Sequence, residues 1–124
     1  MPVETERAAR RSLAMMAKRE GDFARARELW EGLAGNSREG FEAYEQLAIY
    51  YERHAREPHE AASITKKALA ELRRANRTGM VGVGLYKRNR ERFERRLSRL
   101  ERKTSHMSLV SIKPESAVPA DESN

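Results

Sequence analysis

The fold is decided by residues 13–30, which read LAMMAKREGDFARARELW. Gly21-Asp22 divides this stretch, because glycine ends a helix in the left-handed conformation and an aspartate side chain caps the next helix. Before Gly21-Asp22, Leu13 belongs to an apolar stripe at positions 9, 13, 16 and 17. After it, Ala26 and Trp30 share one face of the second helix. The stretch therefore predicts two amphipathic helices joined by a tight turn.

The same pattern recurs further along the chain. Leu13-Ala14 corresponds to Leu47-Ala48, which follows 34 residues later, and Ala26 corresponds to Ala61, 35 residues later. A period of this size is typical of stacked helical hairpins, each of which buries an apolar face on its neighbour. The predicted fold class is therefore all-α, with antiparallel helical hairpins and a C-terminal capping helix.

The sequence predicts five helices and divides the chain into five segments. Helices are expected over residues 6–20, 23–33, 38–56, 59–75 and 85–103. Glycines interrupt the pattern after residue 75, and prolines and serines replace it after residue 103. The segments are an N-terminal extension (1–5), two hairpins (6–75), a Gly-containing loop (76–84), a basic amphipathic capping helix (85–103) and a disordered tail (104–124).

The hairpins resemble a known repeat. Leu13-Ala14-x-x-Ala17 followed by Gly21-Asp22-Phe23-x-x-Ala26-x-x-x-Trp30 resembles the tetratricopeptide repeat, and Leu47-Ala48-x-x-Tyr51 is similar to the start of a second copy. The resemblance covers residues 6–75 and implies a right-handed α-solenoid, in which small residues allow close helix crossings and aromatics fill the gaps. The residues that it implies to be structural are Leu13, Phe23, Ala26, Trp30, Tyr44, Leu47, Tyr51, Ala61 and Leu69.

The sequence departs from the repeat pattern at several positions. Arg10 occupies the position of the leading aromatic in the first copy, whereas Tyr44 matches it in the second. The second hairpin lacks Gly-Asp, and the closing prolines of the repeat are missing. The resemblance implies a non-enzymatic protein–protein interaction module that binds another protein or a peptide segment.

A narrower resemblance concerns nucleases. The run over residues 44–52, with Ala68-Leu69 and the run over residues 95–100, is similar to the helical C-terminal region of bacterial ribonuclease-H-like, exonuclease-type proteins. The acidic α/β nuclease domain of those proteins has no counterpart in this chain. The resemblance implies, as an alternative function, an accessory tail that supports a nuclease domain or its substrate.

Composition narrows the functional classes. Charged residues make up 35% of the 124 residues and aromatic residues 6%, and there is no cysteine. The absence of cysteine excludes disulfides and thiolate chemistry. No apolar run approaches the roughly 20 residues that span a bilayer, and the N-terminal residues do not resemble a signal peptide. We expect a cytoplasmic protein without a membrane partner.

The sequence offers no catalytic constellation, so we expect no enzymatic activity, no cofactor and no metal site. His54 and His59 lie close together, but Pro58 interrupts the helix between them and no HExxH spacing is present. The glycines within residues 79–84 follow a predicted helix instead of a strand, and Lys87 is not followed by Ser or Thr. That segment therefore does not match a phosphate-binding P-loop.

The net charge of +6 is unevenly distributed. Residues 61–103 contain 14 Lys/Arg and 4 Asp/Glu, whereas residues 1–60 contain 10 and 12. Cationic side chains on the last helix suit phosphate contacts, which gives a stand-alone nucleic-acid-binding protein as a second alternative. The other interpretation is a solvated cap that keeps the end of the stack soluble. The nucleic-acid candidates are Arg88, Arg92, Arg95, Arg96 and Arg99.

A peptide groove is predicted on the first helix of each hairpin. In repeats of this type those helices line one surface, which here combines opposite charges with an apolar centre. The other interpretation is an amphiphilic surface whose charges pair within the molecule. The groove candidates are Arg11, Met15, Lys18, Arg19, Glu42, Glu45, Ile49 and Glu52.

Overall fold

The computed structural model describes residues 3–35 and 37–116, with side chains over residues 5–35 and 37–106. The described residues form helices and connecting turns and contain no strand, which confirms the predicted all-α class. The helices are α1 (Val3–Arg19), α2 (Phe23–Leu33), α3 (Arg38–Arg53), α4 (Pro58–Arg77) and α5 (Val83–Ser116).

Local signals account for four helix ends. Gly21 adopts a positive φ of 82°, and the Asp22 carboxylate accepts a hydrogen bond from the Arg25 N–H at 3.2 Å. Ser37 caps α3 by accepting from the Gly40 N–H at 2.9 Å, and Pro58 begins α4, where its missing N–H costs nothing. These signals are readable in the sequence, and α2 has its predicted bounds.

Other boundaries differ from the sequence prediction. α3 ends at Arg53 instead of residue 56, because Arg56 adopts a left-handed φ of 58° in the turn to α4. α1 begins at Val3, inside the predicted extension, and only residues 78–82 separate α4 from α5 instead of residues 76–84.

The predicted disordered tail from residue 104 is wrong in its first part. α5 continues through Thr104 to Ser116, and residues 117–124 lie outside the described residues. Thr104 lies one turn after Leu100 and is 9% exposed. The buried side of α5 thus extends past the predicted end, and tertiary packing outweighs the modest helix propensity of threonine and serine.

Each helix packs on the next one in the chain. Small residues line the crossings, and Ala14, Ala48 and Ala61 are fully buried. The close approach is sharpest at Gly40, where an added Cβ would lie 2.4 Å from the Gly35 carbonyl oxygen. Of the residues implied to be structural, the buried ones are Ala26, Trp30, Tyr44, Leu47, Ala61 and Leu69, whereas Phe23 and Tyr51 are half-buried.

Leu13 departs from the expected core. It is 45% exposed, and Met16 on the same stripe is 46% exposed, whereas Leu47 at the corresponding position of α3 is 4% exposed. Leu47 packs in a cluster with Trp30 and Leu33 of α2. No helix of the described residues packs over the same position of α1, so Leu13 remains exposed.

Matched substitutions at these two leucines test that explanation. We expect Leu47→Ala to lower the free energy of unfolding by about 2–4 kcal/mol, because it leaves a cavity in the core. Leu13→Ala removes the same atoms from an exposed position and should cost less than about 1 kcal/mol. Urea denaturation followed by far-UV circular dichroism measures both changes in unfolding free energy. Equal losses would contradict the exposure of Leu13 on α1.

Candidate interaction surface

Side-chain pairs join α1 to α3 in a row. Arg11 forms a double hydrogen bond with Glu42, at 2.5 Å from Nε and 2.9 Å from Nη2. Lys18 donates to the Gln46 side chain at 2.8 Å, and Arg7 lies 3.8 Å from Glu39. Because the residue numbers rise together on both helices, α1 and α3 run in the same direction.

A second row joins α3 to α5. Glu45 accepts a hydrogen bond from Arg92. Two turns further along α3, Glu52 accepts hydrogen bonds from Arg99 and from Lys103. The numbers again rise together, so α5 runs in the same direction as α3. We call the surface of α1, α3 and α5 that carries both rows the inner face.

The pairs between α4 and α5 have the opposite order. Lys66 lies 3.9 Å from Glu101, and Arg73 lies 3.7 Å from Glu94. As the residue number rises on one helix it falls on the other, so α4 is antiparallel to α5 and, through α5, to α3. These surface pairs are long and exposed, and each contributes little to stability.

Glu52 is the electrostatic centre of the inner face. Its side chain is 5% exposed, and the hydrogen bond from Arg99 is the main cause that lowers its pKa, to about 2. The hydrogen bond from Lys103 acts in the same direction, while burial opposes both. A buried carboxylate that is fully paired in this way stays ionised in neutral solution.

Arg96 lies between the two glutamates of the second row. Its guanidinium is 3.7 Å from Glu45 and 3.8 Å from Glu52, and its side chain is 17% exposed. Burial lowers the Arg96 pKa, and the two carboxylates partly offset this effect. The Nη1 atom of Arg96 has no hydrogen-bond partner within the described part of the chain, so these two carboxylates compensate its charge through space.

The structure brings the two predicted sets of site residues together, and they pair with each other. Of the nucleic-acid candidates, Arg92, Arg96 and Arg99 face Glu45 and Glu52 from the groove set. The second interpretation of the groove, a surface whose charges pair within the molecule, therefore describes these residues.

The remaining groove candidates have three different environments. Met15 is half-buried and packs against the core cluster of α1, α2 and α3 instead of facing a groove. Arg19 is exposed, and Ile49 is half-buried. Ile49 is thus the groove candidate that offers an apolar contact near the surface.

An aromatic cluster that sequence reasoning missed borders this isoleucine. Phe23 stacks on His54, with ring centroids 3.7 Å apart and planes 19° from parallel. Tyr50 lies 6.2 Å from His54, and together with Lys18 and Ile49 these rings line a small cavity of about 20 Å³. We call this cluster of Phe23, Ile49, Tyr50 and His54 the aromatic end.

The signal for the aromatic end was present in the sequence. Tyr50 and His54 are four residues apart and therefore share a side of α3, and Phe23 follows the Gly21-Asp22 turn. His54 entered the sequence predictions only as a metal ligand that the spacing excluded. Its stacking on Phe23 depends on how α2 packs against α3, which the spacing alone does not specify.

A third charged row lies on α5 beside Arg92 and Arg99, three or four residues from each of them. Arg88, Arg95 and Arg102 are exposed and recur every seven residues, which places them on one side of the helix about 10 Å apart. None of the three forms an ion pair with a residue whose side chain the structure describes. We call them the outward row.

Two kinds of feature are absent from the part of the chain that is described. No three histidine, aspartate or glutamate side chains in it are close enough together to hold a metal ion. None of its helices combines the length and the apolar character that crossing a bilayer requires.

Comparisons with known proteins add no relative. Neither protein-family models, nor curated protein sequences, nor solved structures contain a match to this chain.

Proposed function

We propose that this protein is a non-enzymatic interaction module built of two tetratricopeptide-like hairpins and a capping helix. The common direction of α1, α3 and α5 and the opposite direction of α4 support a stack of helical hairpins. The corresponding positions of Leu13 and Leu47, 34 residues apart, support a repeat. Such arrays present side chains along one surface for a partner to bind.

The bound partner is a segment of another protein, and its site is the inner face next to the aromatic end. The observation that carries this proposal is the aromatic end, whose members are half-buried except for the exposed His54, beside fixed rows of charge. Aromatic and arginine side chains dominate the energetics of protein interfaces. Arg11 and Arg99 remain 41% and 44% exposed although they are paired, so they are accessible to a partner. Their pairing holds them in place before binding and reduces the entropy lost on association.

A selection from displayed random 12-residue peptides tests this proposal. We expect enriched peptides to bind the purified chain in fluorescence anisotropy, and Tyr50→Ala and His54→Ala to weaken binding by about tenfold or more, as removal of an interface anchor does. Lys67→Ala, at an exposed position of α4, is the matched control and should change nothing. Thermal melts establish that the variants remain folded. Failure to enrich any peptide, or equal binding by the Tyr50 and His54 variants, would refute the proposal.

A second candidate function is contact with nucleic acid through the outward row. The observation that favours it is that Arg88, Arg95 and Arg102 have no described acidic partner, whereas Arg96 and Arg99 are compensated by Glu52. An unpaired cation releases counterions from a polyphosphate more effectively than a paired one does. An accessory tail of a ribonuclease-H-like nuclease would use the same row to hold its substrate.

Titrations with labelled single-stranded and duplex oligonucleotides at two salt concentrations test the second candidate. We expect weak binding without sequence preference, which falls as salt rises. Replacing Arg88, Arg95 and Arg102 together with glutamine should flatten the slope of log affinity against log salt by up to about 3. The control is Arg92→Gln with Arg99→Gln, which should have the smaller effect; the reverse order would exclude the outward row.

A further inference from the structure

The same three-residue pattern occurs on α1, α3 and α5. Each helix carries apolar residues at positions i, i+4 and i+7, which lie on one side of a helix. We call these sets the triplets. They are Ala9, Leu13 and Met16 on α1; Ala43, Leu47 and Tyr50 on α3; and Phe93, Leu97 and Leu100 on α5.

In the triplets of α3 and α5, two of the three residues are buried in clusters with the helix that precedes them. On α3, Ala43 and Leu47 cluster with Trp30 of α2. On α5, Phe93 clusters with Leu72 of α4 and Leu100 clusters with Ala61. Phe93 is 3% exposed and Leu100 fully buried, so coverage by the preceding helix is the rule within this fold.

The triplet of α1 is uncovered. Leu13 and Met16 are 45% and 46% exposed. Ala9 and Leu13 line a groove of about 460 Å³ together with Leu29 of α2. The charged residues along this groove include both signs, namely Glu6, Arg10, Arg25 and Glu28.

We propose that the α1 triplet binds an amphipathic α-helix of another protein, packed on it as α2 packs on α3. The proposed partner helix carries a small residue, a large aromatic or aliphatic residue and leucine at i, i+4 and i+7, as Ala26, Trp30 and Leu33 do in α2. The partner helix thus packs on α1 at the end of the stack, in the same way as α2 packs on α3. This is the mode of recognition in which a helix fills an apolar groove.

A second copy of the chain is a poorer occupant. The helices that cover triplets, α2 and α4, are already engaged in each copy, since Trp30 is 2% and Leu69 2% exposed. At the other end of the stack, α5 presents the exposed arginines of the outward row instead of an apolar stripe. Among the described side chains, a folded copy therefore has no uncommitted helix face of the α2 type.

A synthetic peptide of residues 22–35 provides the probe, because it is the helix that covers the triplet of α3. A hydrocarbon staple between the exposed positions 24 and 28 keeps it helical, since short isolated helices are marginal in water. In fluorescence anisotropy we expect a dissociation constant on the order of 50 µM. Leu13→Glu and Met16→Glu should each weaken binding by at least about tenfold. Because both positions are exposed, these variants should keep the wild-type circular dichroism spectrum.

Matched controls distinguish binding at this site from non-specific hydrophobic binding. Met80→Glu and Val83→Glu introduce the same charge at apolar residues that are 67% and 81% exposed and lie outside α1 and α2, and they should leave peptide binding unchanged. A peptide with Trp30→Glu should not bind. Tyr50→Ala, which impairs the proposed inner-face site, should retain binding of the stapled peptide, so the two proposals can fail independently.

Three results would overturn the inference. The first is no binding of the stapled peptide. The second is binding that Leu13→Glu does not weaken, which would mean that the peptide displaces α2 from its own position. The third is a concentration-dependent dimer in sedimentation velocity that Leu13→Glu dissociates, which would assign the α1 triplet to a second copy.

Discussion

Replacing Trp30 with alanine is expected to lower the free energy of unfolding by about 3–5 kcal/mol. Trp30 is 2% exposed and shares one apolar cluster with Ala14 of α1 and with Leu47 of α3. Truncation therefore removes contacts that join three helices at once. Because domains of this size are stable by only about 5–15 kcal/mol, the variant should unfold well below the wild-type temperature.

The measurement is urea denaturation followed by circular dichroism at 222 nm, since Trp30 is the chain's single tryptophan and its fluorescence is lost in the variant. Arg25→Ala, at an exposed position of the same helix, is the control and should change stability by less than about 0.5 kcal/mol. An unchanged midpoint for Trp30→Ala would show that the arrangement of α1, α2 and α3 described above is wrong.

Glu52→Gln is the second substitution with a large expected effect, a loss of about 2–4 kcal/mol. The glutamate side chain is 5% exposed, and its removal leaves Arg96, at 17% exposure, without one of its two compensating charges. Breaking a buried ion pair typically costs about 3–5 kcal/mol. The expected value here is smaller because Arg99 and Lys103 are 44% and 45% exposed and regain hydration.

Glu42→Gln is the matched control. Glu42 has the same chemistry and a double hydrogen bond with Arg11, but the two side chains are 31% and 41% exposed. Its loss should cost less than about 1 kcal/mol. Equal losses at Glu42 and Glu52 in chemical denaturation would show that burial does not distinguish the two rows of the inner face.

The lowered pKa of Glu52 also predicts acid sensitivity. Its pKa is lowered from 4.5 to about 2 in the folded protein, so the unfolded state binds the proton more tightly and stability rises with pH in this range. The stabilisation is complete above about pH 5 and is lost as the pH falls through the folded pKa, with an upper limit of about 3 kcal/mol. Unfolding free energies at pH 7 and pH 3 should therefore differ more in the wild type than in Glu52→Gln. Equal differences would contradict the lowered pKa.

The helices and their connections were predictable because their signals are local. Gly21-Asp22 and Ser37 act on hydrogen bonds within a few residues of themselves, so the sequence reveals where one helix ends and the next begins. The recurrence of Leu13-Ala14 at Leu47-Ala48 is likewise visible in the chain alone, and it predicts a helical repeat.

The sequence by itself therefore determined the helical class, several helix ends and the small residues at the crossings. The tertiary structure decided which apolar stripes are covered and which charges are paired. Leu13 and Leu47 occupy equivalent positions in the sequence pattern, but only Leu47 has a helix packed over it. Periodicity identifies which residues share a side of a helix, and it does not identify what packs against that side. Arg99 and Glu52 are 47 residues apart, and their pairing exists only because the fold places α5 beside α3. A count of charges along the chain cannot distinguish such compensated arginines from exposed ones, since electrostatic interaction depends on distance in space and on burial.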